Sequence, residues 1–448
     1  MTPPGAKSFP PNLSVVSEAE LVAELARRRA RAGHGTIEAM EEAIELAQQH
    51  DGQATMGEFL REQSSEQRPT APCPKCGERV GVRARERTRT LRSMTGEQTL
   101  KRNYHWCGKC REGFYPLDAE LGLPPEGEGE LTPKLRARVM DFGVNTPYAE
   151  AAERWSVHYR VGISEHLFRS TVERTAERWS AEPAELLQEK FRPVPANPSR
   201  LVVVQTDGSM LPIRGDEPWK EAKVGVVYRE EHHLASNDNV GRRGHLDEAR
   251  YVAAIGSVAF EHQLQTALRL EGAPQAIQIA WIGDGAPCIW TQAHRLCPRA
   301  VQVLDWMHAV EHAVDCAKVL FGPEDPCVGL WKSRVETLLG DGAIGQLLAE
   351  LSDCWRQARR RGDREALQPL LRYYRTNRKR MNYQEFRRLG LPIGSGTVES
   401  AHRHVLQKRM KLAGQHWDLD RARHMVLLRA AYKTAGPAKF SALVQAAA

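Results

Sequence analysis

The spacing of hydrophobic positions changes three times along the chain. Near the N-terminus, "EAELVAELARRRARA", "TIEAMEEAIELAQQ" and "TMGEFLREQ" carry apolar residues at helical intervals and are separated by glycines, which predicts three short helices forming an appendage over residues 1–70. A strand-like grammar follows: "RTRTLRSM" and "EQTLKRNYHW" read as two strands joined by the turn "TGE". Beyond "GLPPEGEGELTP", a linker rich in Gly, Pro and Glu, helical spacing returns and predicts three helices over residues 131–185. The last two, "PYAEAAERWSVH" and "SEHLFRSTVERTAERW", flank a short turn containing Gly162. That is the spacing of a DNA-binding helix-turn-helix and equally of a packed three-helix bundle.

After a second linker, "PVPANPSR", the pattern becomes β. "RLVVVQTDG", "EAKVGVVYRE" and "ARYVAAIGSV" are apolar strand runs, "AFEHQLQTALRLEG" is helical, and "AIQIAWIGDGA" and "RAVQVLD" are two more strands around a short helix near "PCIWTQAHRL". The order β-β-β-α-β-α-β predicts an α/β core with a mixed sheet and helices on both faces, the element order of the RNase H-like fold. This core takes residues 198–305 as its first part. A helical insertion over 306–392 follows, and a C-terminal basic helix over 393–433 closes it.

Topology turns scattered acids into neighbours. In such a sheet the first strand is central and the fourth lies beside it, so Asp207 and Asp284, which end those runs and each precede a glycine, should face one crevice. Asp-Gly also simply makes turns. Two ionised carboxylates that close call for a cation between them, and Mg²⁺ prefers such oxygen ligands and serves phosphodiester chemistry in pairs. The helix starting near Gly396 would bring Glu399 to the same place as a third acid, flanked by Arg403, His404, Lys408, Arg409 and Lys411, of which Arg403, Lys408, Arg409 and Lys411 are candidate DNA contacts. Asp305 ends the fifth strand with His308 three residues on. Asp305 either caps the next helix, with His308 on its first turn, or the pair serves the site.

Composition adds three constraints. A length of 448 residues predicts two to four domains, and no segment has the apolar length of a signal peptide core or a membrane helix, which predicts a soluble, cytoplasmic protein with no membrane partner. The net charge of +7 is modest, but basic residues cluster in runs such as "WRQARRRGDREALQPLLRYYRTNRKRMNYQEFRR", suited to a phosphate backbone or to a solvated face. Of nine cysteines, Cys73, Cys76, Cys107 and Cys110 form two Cys-x-x-Cys pairs at the ends of the predicted hairpin. This pattern predicts a zinc ribbon over residues 71–118 with one structural Zn²⁺. Cys288, Cys297, Cys316, Cys327 and Cys354 read as reduced thiols without a role.

Four motifs, "TDGSM", "WIGDGAPCIW", "VLDWMHAVEH" and "IGSGTVESAHRHVLQKRMK", carry a resemblance. From about Cys73 to Tyr432 the chain resembles DDE transposases of bacterial insertion sequences, in particular the ISKra-type family, with kinship to the Mutator-like group. The resemblance implies a catalytic triad of Asp207, Asp284 and Glu399 that holds two Mg²⁺ or Mn²⁺ ions, cuts element ends and joins the freed 3′ hydroxyls to target DNA. It implies Asp305 and His308 as accessory residues, and a homodimer or larger assembly on DNA, associated with the bacterial nucleoid. An RNase H-like nuclease without strand transfer, and a non-catalytic DNA-binding protein derived from a transposase, are the competing expectations.

Overall fold

Two units make up the computed structural model, residues 1–121 and 122–448. It describes residues 17–31, 35–127, 129–234 and 245–446. The first unit holds helices α1 (Glu18–Arg31) and α2 (Ile37–Ser65), strands β1 (Thr70–Pro72), β2 (Arg79–Ser93), β3 (Gly96–Cys107) and β4 (Glu112–Phe114), and a short helix α3 (Pro116–Glu120). The strands form one antiparallel sheet in the order β1-β2-β3-β4. Two helices stand where three were expected, because Gly52 lies inside α2 instead of ending it. A Cβ at Gly52 would come within 2.7 Å of Thr95 Cγ2 on the β2–β3 turn, so this glycine lets the helix approach the hairpin. Leu91 and Leu100 fill the interior of this sheet, and buried Asp118 of α3 pairs with Arg89 at 2.8 Å and with Arg102.

The second unit begins with α4 (Pro133–Asn145), α5 (Tyr148–His158) and α6 (Glu165–Ser180), and a further helix, α7 (Ala184–Phe191), precedes the second linker. Ser164 caps α6 by accepting the Leu167 N–H at 3.2 Å. Trp155 of α5 is fully buried against Phe142, Tyr159 and Phe168.

Next come β5 (Leu201–Pro212), β6 (Trp219–Arg229), a small hairpin of β7 (His233–Leu234) and β8 (His245–Leu246), β9 (Arg250–Ile255), α8 (Ser257–Leu270), β10 (Gln278–Gly283), α9 (Pro287–Leu296) and β11 (Val301–Leu304). They give a mixed α/β arrangement around a five-stranded sheet ordered β11-β10-β5-β6-β9. β5 is central, β10 and β11 run parallel to it, and β6 is antiparallel to both β5 and β9. The continuous apolar character of β5 and β10 follows from burial on both faces. Five helices come between β11 and the terminal segment: α10 (Trp306–Phe321), α11 (Pro326–Gly340), α12 (Ile344–Gln357), α13 (Arg361–Asn377) and α14 (Tyr383–Arg388).

The terminal segment differs from the single helix expected over 393–433. It consists of α15 (Gly396–Ala401), a π-helical turn at His402–Gln407, α16 (Lys408–Met410) and a separate 28-residue helix, α17 (Leu419–Ala446), bent at Gly436–Pro437. Trp417 is buried between the two parts, with its indole N–H on the Met410 carbonyl at 3.1 Å, and α17 packs on β9, α4 and α6. No helix of the described residues is long and apolar enough to cross a membrane.

Candidate functional site

In the first unit, Cys73 and Cys76 lie on the turn between β1 and β2, Cys107 ends β3, and Cys110 leads to β4. Hairpin pairing brings the two turns together. The four sulfurs lie within 4.8 Å of one another, with Cys76 Sγ 3.7 Å from Cys107 Sγ, and all are free thiols. Backbone N–H groups of Cys76 and Lys75 bring the Cys73 thiol down to about 7, whereas the sulfur of Cys76, joined by burial, pushes Cys110 up to about 12. A tetrathiolate of this spacing can hold zinc.

In the second unit, sheet register assembles the acids. Gln205 of β5 lies opposite Ile282 of β10, and Gly283 of β10 opposite Leu304 of β11. Continuing these pairings brings Asp207, Asp284 and Asp305 level where the parallel strands stop pairing. β5 itself does not stop there: it runs on to Pro212 as a hairpin with β6, so Asp207 lies within a strand and not at its end. Gly208 therefore makes no turn. The atom nearest a Cβ built there is Oε1 of the exposed Glu221, at 2.2 Å, while Gly285 does turn the chain after Asp284 with φ +104°.

Asp207 and Asp284 share a cleft of 170 Å³ with Lys223, Glu221 and Glu261. Asp207 Oδ1 accepts the Gly208 N–H at 2.6 Å, and its Oδ2 lies 3.2 Å from His402 Nε2. Asp284 Oδ1 accepts the Ala286 N–H at 2.9 Å, and its carbonyl accepts the Tyr373 hydroxyl at 2.7 Å. Asp305 is buried and saturated: Oδ1 accepts the His308 N–H at 2.7 Å and lies 3.0 Å from His308 Nδ1, while Oδ2 accepts the Ser395 N–H at 2.5 Å. Burial would raise the Asp305 carboxyl, but the bonds from His308 and Ser395 outweigh it and hold it below the usual carboxylate range. The same bond to Asp305 raises His308 to about 9 against the opposing effect of burial, with Asp284 adding to the rise.

The Glu399 carboxylate gathers with Asp305 and His308, donor atoms within 4.8 Å of one another; the Asp284 charge also acts on His308, and those of Asp207 and Glu399 both act on His402. The local reason is a hydrogen bond from Ser395 Oγ to Glu399 Oε1 at 2.8 Å, which holds the acid over the turn that Asp305 anchors. Gln205 fixes the same turn from β5, accepting the Val398 N–H at 3.0 Å and donating to the Gly394 carbonyl at 3.2 Å. Asp305 thus caps α10 and also lies, with His308, in the group that Glu399 joins.

A family profile matches residues 78–444. The chain belongs to UPF0236. This is an uncharacterised protein family, and a search of curated proteins finds no match. The UPF0236 region contains all four acids and begins just after Cys76.

The four candidate DNA-contacting cations of this UPF0236 chain separate. Arg403, Lys408 and Lys411 are exposed, and Lys411 Nζ reaches Ser209 Oγ at 3.0 Å, beside Asp207. Arg409, expected with them, is only 1 % exposed and packs between the rings of Tyr148 and Trp417 on the face that also buries Val398, His402 and Val405, and the turn before it, His402–Gln407, is π-helical. The carbonyls loosened by that turn are taken up by buried Arg429 of α17, which donates to Val405 O at 3.2 Å and to His404 O.

Sequence reasoning passed over His402, Ser395, Gln205 and Tyr373. Gln205 had a signal, a polar residue inside a buried apolar run. His402 lies three residues after Glu399 on the same helical face. Burial pushes its imidazole below the ordinary range, opposed by Asp207.

Proposed function

We propose that this chain is a metal-dependent DNA transposase built on an RNase H-like core, which cleaves insertion-sequence ends and joins 3′ hydroxyls to target DNA. The observation that carries the proposal is the level alignment of Asp207, Asp284 and Asp305 on three adjacent parallel strands, with Glu399 brought onto Asp305 from the terminal segment. The strand order, with the first strand central and the second antiparallel to it, supports the RNase H-like reading. UPF0236 members are often found in insertion-sequence elements, which supports the transposase reading.

The donor set fits Mg²⁺ or Mn²⁺. Asp284 and Glu399 each anchor one carboxylate oxygen by a hydrogen bond, from the Ala286 N–H and the Ser395 hydroxyl respectively, and keep the other for a ligand, while Asp207 accepts the Gly208 N–H on Oδ1 and has His402 Nε2 3.2 Å from Oδ2. These three residues would hold the metal, and two such ions would supply an activated oxygen and charge neutralisation at a phosphodiester. The chain's own contribution is orientation. Gln205, Asp305 and Ser395 fix the turn that carries Glu399; His402 lies against Asp207; exposed Arg403, Lys408 and Lys411 line the approach of a phosphate backbone. One zinc ion in the Cys73, Cys76, Cys107 and Cys110 cluster would stiffen the hairpin unit for nucleic-acid contact. Processing two element ends together calls for a dimer or larger assembly.

The test compares wild type with Glu399→Gln on one element-end DNA substrate with Mg²⁺. Glu399→Gln keeps the shape and discards one anionic ligand, so DNA binding should persist while cleavage and strand joining fall by orders of magnitude. Wild-type rates in the variant overturn the assignment, and cleavage without joining by wild type reduces the protein to a nuclease. Zinc analysis of the same preparations, with Cys107→Ser as control, should find one ion in wild type and a loss in the variant; a zinc-free wild type removes that cofactor.

A further inference from the structure

A second cleft, of 310 Å³, shares no lining residue with the acidic one. It lies where the start of α5, α6, the tip of the β5–β6 hairpin, α16 and the approach to α17 meet. Four arginines reach it, and carboxylates account for two: Arg169 pairs with Glu165 at 2.5 Å and Arg421 with Glu173 at 3.0 Å. The remaining acid, Asp418, is occupied in capping α17 through the N–H groups of Asp420 and Arg421. Arg409 and Arg214 have no ion pair among the described residues.

Arg409 decides what the cleft is for. It is 1 % exposed, its Nε meets no hydrogen-bond acceptor, and its guanidinium lies 5.0 Å from the Tyr148 ring centre and 5.2 Å from that of Trp417. Ring faces and a hydrogen bond to Tyr148 offset part of the cost of burying the charge, with Glu150 adding attraction, but leave the Nε–H without an acceptor. A buried cation left this way is expensive unless an anion completes it. Arg214 is exposed on the hairpin tip, which is tied to the same wall by the Arg214 N–H on the Trp417 carbonyl at 2.8 Å. One guanidinium is therefore fixed and the other is free to close on the same volume. Phosphate has the several oxygens needed to accept from both.

We propose that this cleft binds a phosphate group of a DNA strand, held by Arg409 and Arg214. That DNA supplies the phosphate rests on the function proposed above; that the cleft takes a phosphate does not. Bound there, a strand would be gripped at a point separate from the acids, which would set how it enters them.

The experiment uses the full chain and the variants Arg409→Gln and Arg214→Ala. Fluorescence anisotropy with a labelled DNA duplex across a salt series gives affinity and its salt slope, and thermal midpoints with inorganic phosphate, at matched ionic strength, give binding of the free ion. Each variant should weaken DNA binding on the order of tenfold and reduce the log–log salt slope by about 0.9, while phosphate raises the wild-type midpoint and not that of Arg409→Gln. A lost phosphate response with unchanged DNA affinity keeps the anion site and overturns DNA as its source. Wild type that binds no DNA defeats the function proposed above, and the phosphate response still decides the cleft. Unchanged DNA affinity and phosphate response in both variants overturn the proposal and leave Arg409 as a ring-packed structural cation. If Arg409→Gln fails to fold, Arg214→Ala, at an exposed position, carries the same decision.

Discussion

The two ends of the five-stranded sheet treat acid in opposite ways. Where β5 begins, Glu271 is fully buried and surrounded by cations: Arg192 Nε and Arg250 Nε each stand 2.8 Å from its carboxylate, and Arg229 Nε lies at 3.7 Å. These arginines come from the segment before β5, the start of β9 and the end of β6, so one carboxylate pins three parts of the chain. At the opposite end, no arginine or lysine ion pair reaches Asp207, Asp284, Asp305 or Glu399 among the described residues, and the bases beside them are His308 and His402. The contrast separates an acid whose charge is consumed in holding elements together from acids whose charge is left over.

Glu271→Ala should show the largest effect. Removing the carboxylate leaves buried Arg250 without an ion pair among the described residues and Arg192 and Arg229 with only the exposed acids Glu248 and Glu231, and breaking a buried ion network of this kind costs about 3–5 kcal/mol. Urea denaturation measures it, and a midpoint like that of wild type would erase the contrast between the ends.

A smaller effect is expected from pH at the other end, in protein freed of metal. His308 is raised from 6.5 to about 9, so the stability it adds is fully present below 6.5 and is lost as pH rises through 9. Asp305 is held below its ordinary 3.8, so its share is present above that value and is lost as pH falls beneath it. Thermal midpoints of wild type and His308→Gln should therefore converge between pH 6.5 and 9. Parallel curves across that range would break the assignment of the pair.

The smallest effect sharpens the comparison most. Asp284→Asn removes one of several like charges while keeping the shape, and should change stability by less than about 1 kcal/mol, or raise it. A loss of several kcal/mol would place Asp284 in the same class as Glu271.

How legible these features were depended on the distance between the residues concerned. Cys73 and Cys76 are three apart, as are Cys107 and Cys110, and one hairpin joins the pairs, so spacing alone announced the cluster. The strand runs were legible too, because burial on both faces leaves an unbroken apolar string, as in "LVVV" and "IAWI". Gly52 was misread as a helix break, since its reason is Thr95, on another element. Arg409 was read as a phosphate contact from its charge, although its spacing from Val398, His402 and Val405 puts it on the buried face, because the Tyr148 ring that covers it belongs to another element.

By itself the sequence determined what local physics can impose: the helices and strands, the knuckle turns, and the mixed α/β character that follows from β-β-β-α-β-α-β. It also marked Asp207 and Asp284 as acids that follow buried apolar runs and precede glycine. Only the tertiary structure decided how the acids group. Register set Asp207, Asp284 and Asp305 level, whereas Ser395 and Gln205 fixed the turn that brings Glu399 onto Asp305 and His308. A side chain's direction depends on hydrogen bonds to residues as far away as Gln205 is from Val398, and neither periodicity nor spacing encodes a contact between partners that the chain meets only after folding.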